Sequence, residues 1–160
     1  MAQVSSDQNG SHKIQQVSAY LRCHNADAAI HFYLSIFSAT EAFRLTEPTG
    51  RVAHAELQIG PATIMVSDEY PEMGIMSPTS FDGTGVGVYL QVADVGSIYD
   101  AAIKAGATSI MEPKDQFYGE RVAKFRDSWG HEWLLGQTLE KLSAVEMQER
   151  FDAMLAEGDK

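Results

Sequence analysis

YLRCHNADAAIHFY (residues 20–33) begins with an alternating strand pattern and continues as an amphipathic helix. Its opening recurs 69 positions later as YLQVAD (residues 89–94), again directly before a helical pattern. Downstream, RVAH (residues 51–54) returns as RVAK (residues 121–124), at an offset of 70. Matches that keep the same order at a near-constant offset predict that the chain contains two copies of one structural module.

Each copy is predicted to form a strand, a helix and three further strands. The strands are expected at 17–23, 40–47, 51–59 and 62–68, then at 86–92, 108–113, 120–127 and 131–137, with helices at 26–37 and 95–105. Asn25 and Asp94 are suited to capping the helix N-termini, because their side chains accept from the free N–H groups of the first turn. Gly106 is placed where a left-handed residue ends the second helix.

These elements predict one α+β domain with flanking segments. Residues 1–14 form a polar tail, and residues 15–138 form the domain, with modules at 15–69 and 86–138 joined by a Pro/Gly-rich linker at 70–85. Residues 139–160 contain an amphipathic helix that starts with a capping box at Ser143 and Glu146. This helix is expected to cover a sheet edge or a subunit partner, or, less simply, to dock another protein.

Composition limits the partners and the compartment. The net charge of −10 repels phosphate groups, so neither nucleic acid nor an anionic membrane is an expected partner. The sequence contains neither an apolar run long enough to cross a membrane nor a secretory pattern at its start. Cys23 is the only cysteine, which excludes an internal disulfide and suits the reducing cytoplasm.

Strand alternation separates the polar positions from the apolar ones. In the third strand, Ala55, Leu57 and Ile59 face the helices, and His54 and Glu56 face the other way. Applied to all strands at the repeat offset, this rule places Lys124 and Arg126 opposite His54 and Glu56. One sheet face then collects Ser18, Tyr20, Arg22, His54, Glu56, Tyr89, Gln91, Lys124 and Arg126. Such a face is either simply solvated or, in a curved sheet, cupped around a small molecule.

The repeated opening, the strand HAEL (54–57), the segment DQFYGERVAKFRD (115–127) and the D-x-x-G-H-x-W pattern at 127–133 together resemble one known group. This is the glyoxalase/bleomycin resistance/dioxygenase superfamily of vicinal oxygen chelate proteins, and within it the PhnB-like branch is the most similar. The resemblance implies paired βαβββ modules, a cupped eight-stranded mixed sheet and a homodimer.

Enzymes of that superfamily hold a divalent metal with one His or Glu from each of four strands. Matching by strand places these positions at Ser18, at Ile64 or Met65, at Gly87 and at Leu134, and none of these residues is a normal ligand. The resemblance therefore implies no metal and no other cofactor. It favours the metal-free, ligand-sequestering members of the superfamily.

We therefore predict a metal-independent protein that binds a small molecule, with a sequestering or accessory role. The predicted ligand-binding residues are Tyr20, Arg22, His54, Glu56, Tyr89, Gln91, Phe117, Tyr118, Lys124 and Arg126. The alternative is an enzyme in which His54 and Glu56 are the catalytic candidates, assisted by Lys124 or Arg126, either metal-free or with a relocated metal that has His131 as a further candidate ligand.

Four further residues are interpreted from their positions in the predicted elements. Phe117 and Tyr118 either stack on a planar ligand or anchor their loop in the core. Trp133 is expected in the core or at an interface, and Cys23 is expected to be an inert core thiol.

Overall fold

The computed structural model describes residues 13–158, so most of the predicted tail at 1–14 lies outside the described residues. The first module contains β1 (Tyr20–Cys23), α1 (Ala26–Phe37), β2 (Thr40–Thr46), β3 (Val52–Ile59) and β4 (Ala62–Asp68). The second contains β5 (Gly87–Gln91), α2 (Val95–Lys104), β6 (Thr108–Asp115), β7 (Glu120–Arg126) and β8 (Glu132–Thr138). The linker between them holds two single-turn 3₁₀ helices, and α3 (Ala144–Gly158) follows the second module.

Both modules have the same mixed sheet. The strand orders are β1-β4-β3-β2 and β5-β8-β7-β6, and in each sheet only the first pair is parallel. The predicted α+β class with two βαβββ modules and a C-terminal helix is therefore confirmed. Within the described residues, the eight strands form two four-stranded sheets with no ladder between them.

The predicted helix ends are confirmed. The Asn25 side chain accepts from the Ala28 N–H, and the Asp94 side chain accepts from the Ser97 N–H. Gly106 has a φ of +102° after the last residue of α2, a left-handed value that glycine adopts without strain. Within the described residues, no helix is both long and apolar enough to span a bilayer.

One continuous core joins the two modules. α1 and α2 touch each other, and both pack on the inner sheet faces. Ala55, Leu57 and Ile59 are buried there, as the alternation predicted, and so are Cys23 and Trp133. The two fourth strands, which are apolar on both faces in the sequence, bury Ile64, Val66, Trp133 and Leu135 on the helix side.

The Asp127 carboxylate links the modules inside this core. It is 4% exposed and accepts hydrogen bonds from Tyr33 Oη of α1 (2.7 Å), Trp133 Nε1 (2.8 Å) and the backbone N–H groups of Trp129 and His131 (3.0 Å each). A buried carboxylate is tolerated when its oxygens are satisfied in this way. The D-x-x-G-H-x-W pattern therefore supplies the buried carboxylate that connects the two modules.

Strand pairing corrects the predicted repeat offset in the third strands. Tyr20 pairs with Met65 and Tyr89 with Leu134, which keeps the offset of 69. Glu56 also pairs with Met65, whereas Lys124 pairs with Leu134, so Lys124 corresponds to Glu56. The prediction that Lys124 corresponds to His54 was wrong by two residues. The β7–β8 hairpin has a three-residue loop where the β3–β4 hairpin has two, which lowers the offset from 69 in the outer pair to 68 in the third strands, whereas the sequence identities gave 70.

α3 lies on the surface and has no buried residue. The predicted capping box is present, because Ser143 Oγ accepts from the Glu146 N–H while the Glu146 carboxylate accepts from the Ser143 N–H. Two side chains of α3 contact the segments outside it: Arg150 forms a salt bridge with Glu140, and Phe151 packs on Phe117.

Candidate functional site

The open face is the side of both sheets that points away from α1 and α2. Its centre consists of two equivalent rows of side chains on paired strands. The first row is Tyr20, Met65, Glu56 and Phe43, and the second is Tyr89, Leu134, Lys124 and Met111. The rows match in aromatic and apolar positions, but one carries an acid where the other carries a base.

In the first module, the predicted residues Tyr20, His54 and Glu56 are brought together. The Tyr20 hydroxyl lies 2.8 Å from His54 Nδ1, and His54 Nε2 lies 3.4 Å from Glu56 Oε1. If the hydroxyl donates to Nδ1, the proton of a neutral imidazole is on Nε2 and points to the carboxylate. The second contact is longer than an ordinary hydrogen bond, so Glu56 keeps acceptor capacity for a ligand.

Arg22 completes this cluster. Its guanidinium carbon lies 3.6 Å from the centre of the Tyr20 ring, which is within cation–π range. Its Nη1 donates to Ser67 Oγ at 2.5 Å on the neighbouring strand.

In the second module, Tyr89 and Gln91 are held by their own sheet. The Tyr89 ring crosses β8 over Gly136, where a Cβ would lie 2.1 Å from the hydroxyl oxygen, and this hydroxyl donates to Glu120 at 3.0 Å. Burial and the Glu120 carboxylate raise the pKa of Tyr89 to about 12. Gln91 donates to Thr138 Oγ1.

The repeat offset predicted Lys124 and Arg126 opposite His54 and Glu56, and the described residues show no ion pair between these two groups. Arg126 pairs with Glu132 at 2.5 Å because the two residues are direct neighbours on β7 and β8. Among the described residues, Lys124 has no carboxylate within 4.0 Å, and the ionisable neighbour of Glu56 is the His54 imidazole.

Phe117 and Tyr118 lie in the loop between β6 and β7, and both are half-buried. Phe117 packs edge-on against Tyr118 and in a tilted arrangement against Phe151 of α3, and its carbonyl accepts from Arg150. These contacts attach the loop to α3, whereas one of the two sequence interpretations placed the Phe117 anchor in the main core.

The donor set on the open face does not suit a divalent metal. Across residues 13–158, no three side chains of His, Cys, Asp or Glu come close enough together to hold one. Met65 and Leu134 occupy the centres of the two rows, and Ile64 is buried in the core. His131 does not join His54 in such a cluster: its side chain is buried, and its ring nitrogen donates to the Arg22 carbonyl at 3.0 Å.

A cavity of about 520 Å³ lies where β1, β5 and the start of β8 meet under the linker. We call it the junction cavity, and its volume is within the range of small-molecule sites. Tyr20, Arg22 and Glu132 of the open face line it, together with apolar residues. The sequence interpretation missed the linker part of its wall, although the apolar residues within that turn-rich segment were a usable signal: Met76, Pro78, Phe81 and Val86.

His131 forms part of the wall and is uncharged at neutral pH. Burial lowers the pKa of its imidazole, and the Asp127 carboxylate and the Arg22 carbonyl oppose this effect only in part. Cys23 lies behind it, with Sγ 3.7 Å from His131 Nε2. Burial, followed by the Asp127 charge, raises the pKa of this thiol, which makes it a poor nucleophile.

Comparison with known proteins agrees with this architecture. The family model described as Glyoxalase/Bleomycin resistance protein/Dioxygenase superfamily matches residues 13–135. An uncharacterized protein of Mycobacterium bovis is 38% identical over 146 residues, which cover 89% of this chain and 94% of the relative.

Solved structures support the fold. A Pseudomonas aeruginosa protein superposes with a TM-score of 0.64 at 21% identity, covering 79% of this chain and 100% of that one. A PhnB protein of Bacillus cereus gives a TM-score of 0.62 at 15% identity, covering 78% and 100%. With the family match over most of its length, this chain belongs to the glyoxalase/bleomycin resistance protein/dioxygenase superfamily.

Proposed function

We propose that this chain is a small-molecule binding protein whose ligand occupies the junction cavity and the adjoining part of the open face. The observation that carries this proposal is that Tyr20 and Arg22, both expected from the sequence to bind a ligand, line a cavity with a mostly apolar wall. An apolar recess with a few fixed polar groups is typical of small-molecule sites.

We propose that binding is independent of a metal. Support comes from the side chains at the strand positions where the superfamily's enzymes hold their ion. Met65 and Leu134 offer no hard donor, and Gly87 has no side chain. Glu56 and His54, the acid and the imidazole that meet on the open face, are two groups, whereas a zinc site uses at least three protein ligands.

The alternative, an enzyme that uses His54 and Glu56 with Lys124 or Arg126, is not favoured. Such chemistry needs the basic side chains next to the acid–imidazole pair, and Arg126 is instead paired with Glu132 within its own module. The contacts of His54 are with Tyr20, Phe43 and Glu56, which all belong to the first module.

We further propose that the protein is a cytoplasmic homodimer of the PhnB-like branch. The buried reduced Cys23 is consistent with a reducing compartment. Phe43 and Leu45 on the open face of β2 are 45% and 58% exposed, and an association between copies would cover such side chains. Light scattering after size-exclusion chromatography tests this, with twice the chain mass expected and the single-chain mass contradicting it.

The binding proposal is tested by a fragment screen with ligand-observed NMR in buffer containing EDTA. Val86 is 72% exposed and lines the cavity, whereas Val145 is 67% exposed on α3. Val86→Trp should fill the cavity and abolish the hits, and Val145→Trp, the matched control, should keep them. Hits that require an added divalent ion, or that persist equally in both variants, would contradict the proposal.

A further inference from the structure

Arg22 differs from the other arginines in its partners. Five arginines each pair with a carboxylate at 3.0 Å or less: Arg44, Arg51, Arg121, Arg126 and Arg150. Within residues 13–158, Arg22 has no carboxylate within 4.0 Å. It is also half-buried and belongs to the wall of the junction cavity.

The local contacts hold Arg22 in place without neutralising it. The Tyr20 ring covers one face of the guanidinium, and Ser67 accepts one of its five N–H groups. Ser67 is itself fully buried and donates to the Asp68 carbonyl, so it contributes a fixed dipole and no charge. The guanidinium therefore retains N–H donors and its full positive charge.

The other ionisable groups of the cavity wall do not cancel this charge. His131 is neutral, because burial lowers the pKa of its imidazole. Glu132 is the acidic residue of the wall, and Arg126 already pairs with it. Among the described residues, Arg22 is therefore the charged residue of the wall that lacks a partner of opposite charge, in a chain whose total charge is −10.

We propose that the junction cavity takes an apolar ligand that carries a single carboxylate or similar monoanionic oxygen group, bound by Arg22. This inference rests on the proposed binding function and specifies its ligand class. A guanidinium matches the two oxygens of a carboxylate in one plane, and the aliphatic and aromatic wall suits a hydrocarbon body. Polyphosphates are excluded, because the wall has one unpaired cation and the surrounding protein is strongly acidic.

The test compares 2-naphthoate with its neutral analogue 2-naphthalenemethanol, each titrated calorimetrically in buffer containing EDTA. Because hydrogen bonds to charged groups are about twice as strong as neutral ones, naphthoate should bind the natural protein at least about tenfold more tightly. Arg22→Gln should abolish this preference and leave the affinity for the alcohol unchanged. Arg22→Lys, which keeps the charge, should retain part of it.

Arg51→Gln is the matched control. Arg51 also stacks on a tyrosine, Tyr70, but it pairs with Glu72 and lies outside the cavity wall, so its loss should keep the full preference for naphthoate. Thermal unfolding of each variant verifies that it folds.

Two results would overturn the ligand class. If naphthoate has no advantage over the alcohol, or if Arg22→Gln keeps that advantage, the inference is wrong. The fragment screen then distinguishes a wrong ligand class from a wrong binding function. Hits that Val86→Trp abolishes leave the binding function standing with another ligand class, whereas an empty screen removes both.

Discussion

Replacement of Asp127 by asparagine should destabilise the protein although it changes hardly any volume. Oδ1 accepts from the backbone N–H groups of Trp129 and His131, and Oδ2 accepts from Tyr33 Oη and Trp133 Nε1. An asparagine amide must turn its NH₂ group toward one of these pairs. In either orientation the NH₂ group faces at least one N–H group that can only donate, so that N–H group loses its acceptor.

The expected loss follows from these contacts. A hydrogen bond to a charged group contributes about 1.5–3 kcal/mol, and an unsatisfied buried donor costs about 1–3 kcal/mol. We therefore expect Asp127→Asn to lower the free energy of unfolding by about 3 kcal/mol. In a chain of this size, that change corresponds to a fall in Tm of roughly 6–12 °C. Urea denaturation followed by tryptophan fluorescence measures it.

Tyr33→Phe is the matched control, because it removes a single donor and leaves the other three bonds to Asp127 intact. Its expected cost is about 1.5 kcal/mol, the lower end for a hydrogen bond to a charged group, because three donors still satisfy the carboxylate. In the double variant the losses should be less than additive, since both changes remove the same contact between α1 and the second module. An Asp127→Asn protein within about 0.5 kcal/mol of the natural one would refute the role of this carboxylate in connecting the two modules.

Three further outcomes are expected. Gly119 has a φ of +84°, and an added Cβ would lie 2.6 Å from a backbone carbonyl oxygen, so Gly119→Ala should cost more than about 2 kcal/mol. Gly50→Ala, with a φ of +90° and open space, should cost only the strain of about 1–2 kcal/mol, and equal losses in urea titrations would contradict the clash. Ultraviolet titration should show one phenol with a pKa of about 12 that disappears in Tyr89→Phe. Because the folded pKa lies above the unfolded value, this phenol's stabilising contribution is complete below about pH 10 and is lost as the pH rises through 12. Cys23 should react with a disulfide reagent only after unfolding, because burial raises the pKa of its thiol, and rapid labelling of the folded protein would be inconsistent with the buried position.

Local patterns predicted the modules well, because alternation, caps and turn residues act within a few positions of each other. The exposed side of β3 and the N-caps at Asn25 and Asp94 followed from such patterns. The correspondence between the modules did not, since the third strands match at an offset of 68 whereas the identities gave 70, so Lys124 and not Arg126 corresponds to Glu56. The length of a hairpin loop sets the register of the strands that it joins, and sequence identity alone does not reveal that length.

The candidate site was predictable on the strands and less so elsewhere. Tyr20, Arg22 and His54 were expected together because their faces follow from strand parity. The linker residues Met76 and Phe81 were missed, because Pro- and Gly-rich segments are read as solvent-exposed turns, and only the tertiary structure places them over β1 and β5.

The central claim is that a small molecule binds at the junction cavity without a metal. Its most direct test is to map backbone amide chemical shifts for a fragment hit, first with EDTA and then with excess Mg²⁺, Mn²⁺, Ni²⁺ or Zn²⁺. We expect shifts confined to β1, the linker and the start of β8, with an affinity that the metal ions leave unchanged. Binding that appears only after a metal ion is added, or shifts that map outside this cavity, would contradict it.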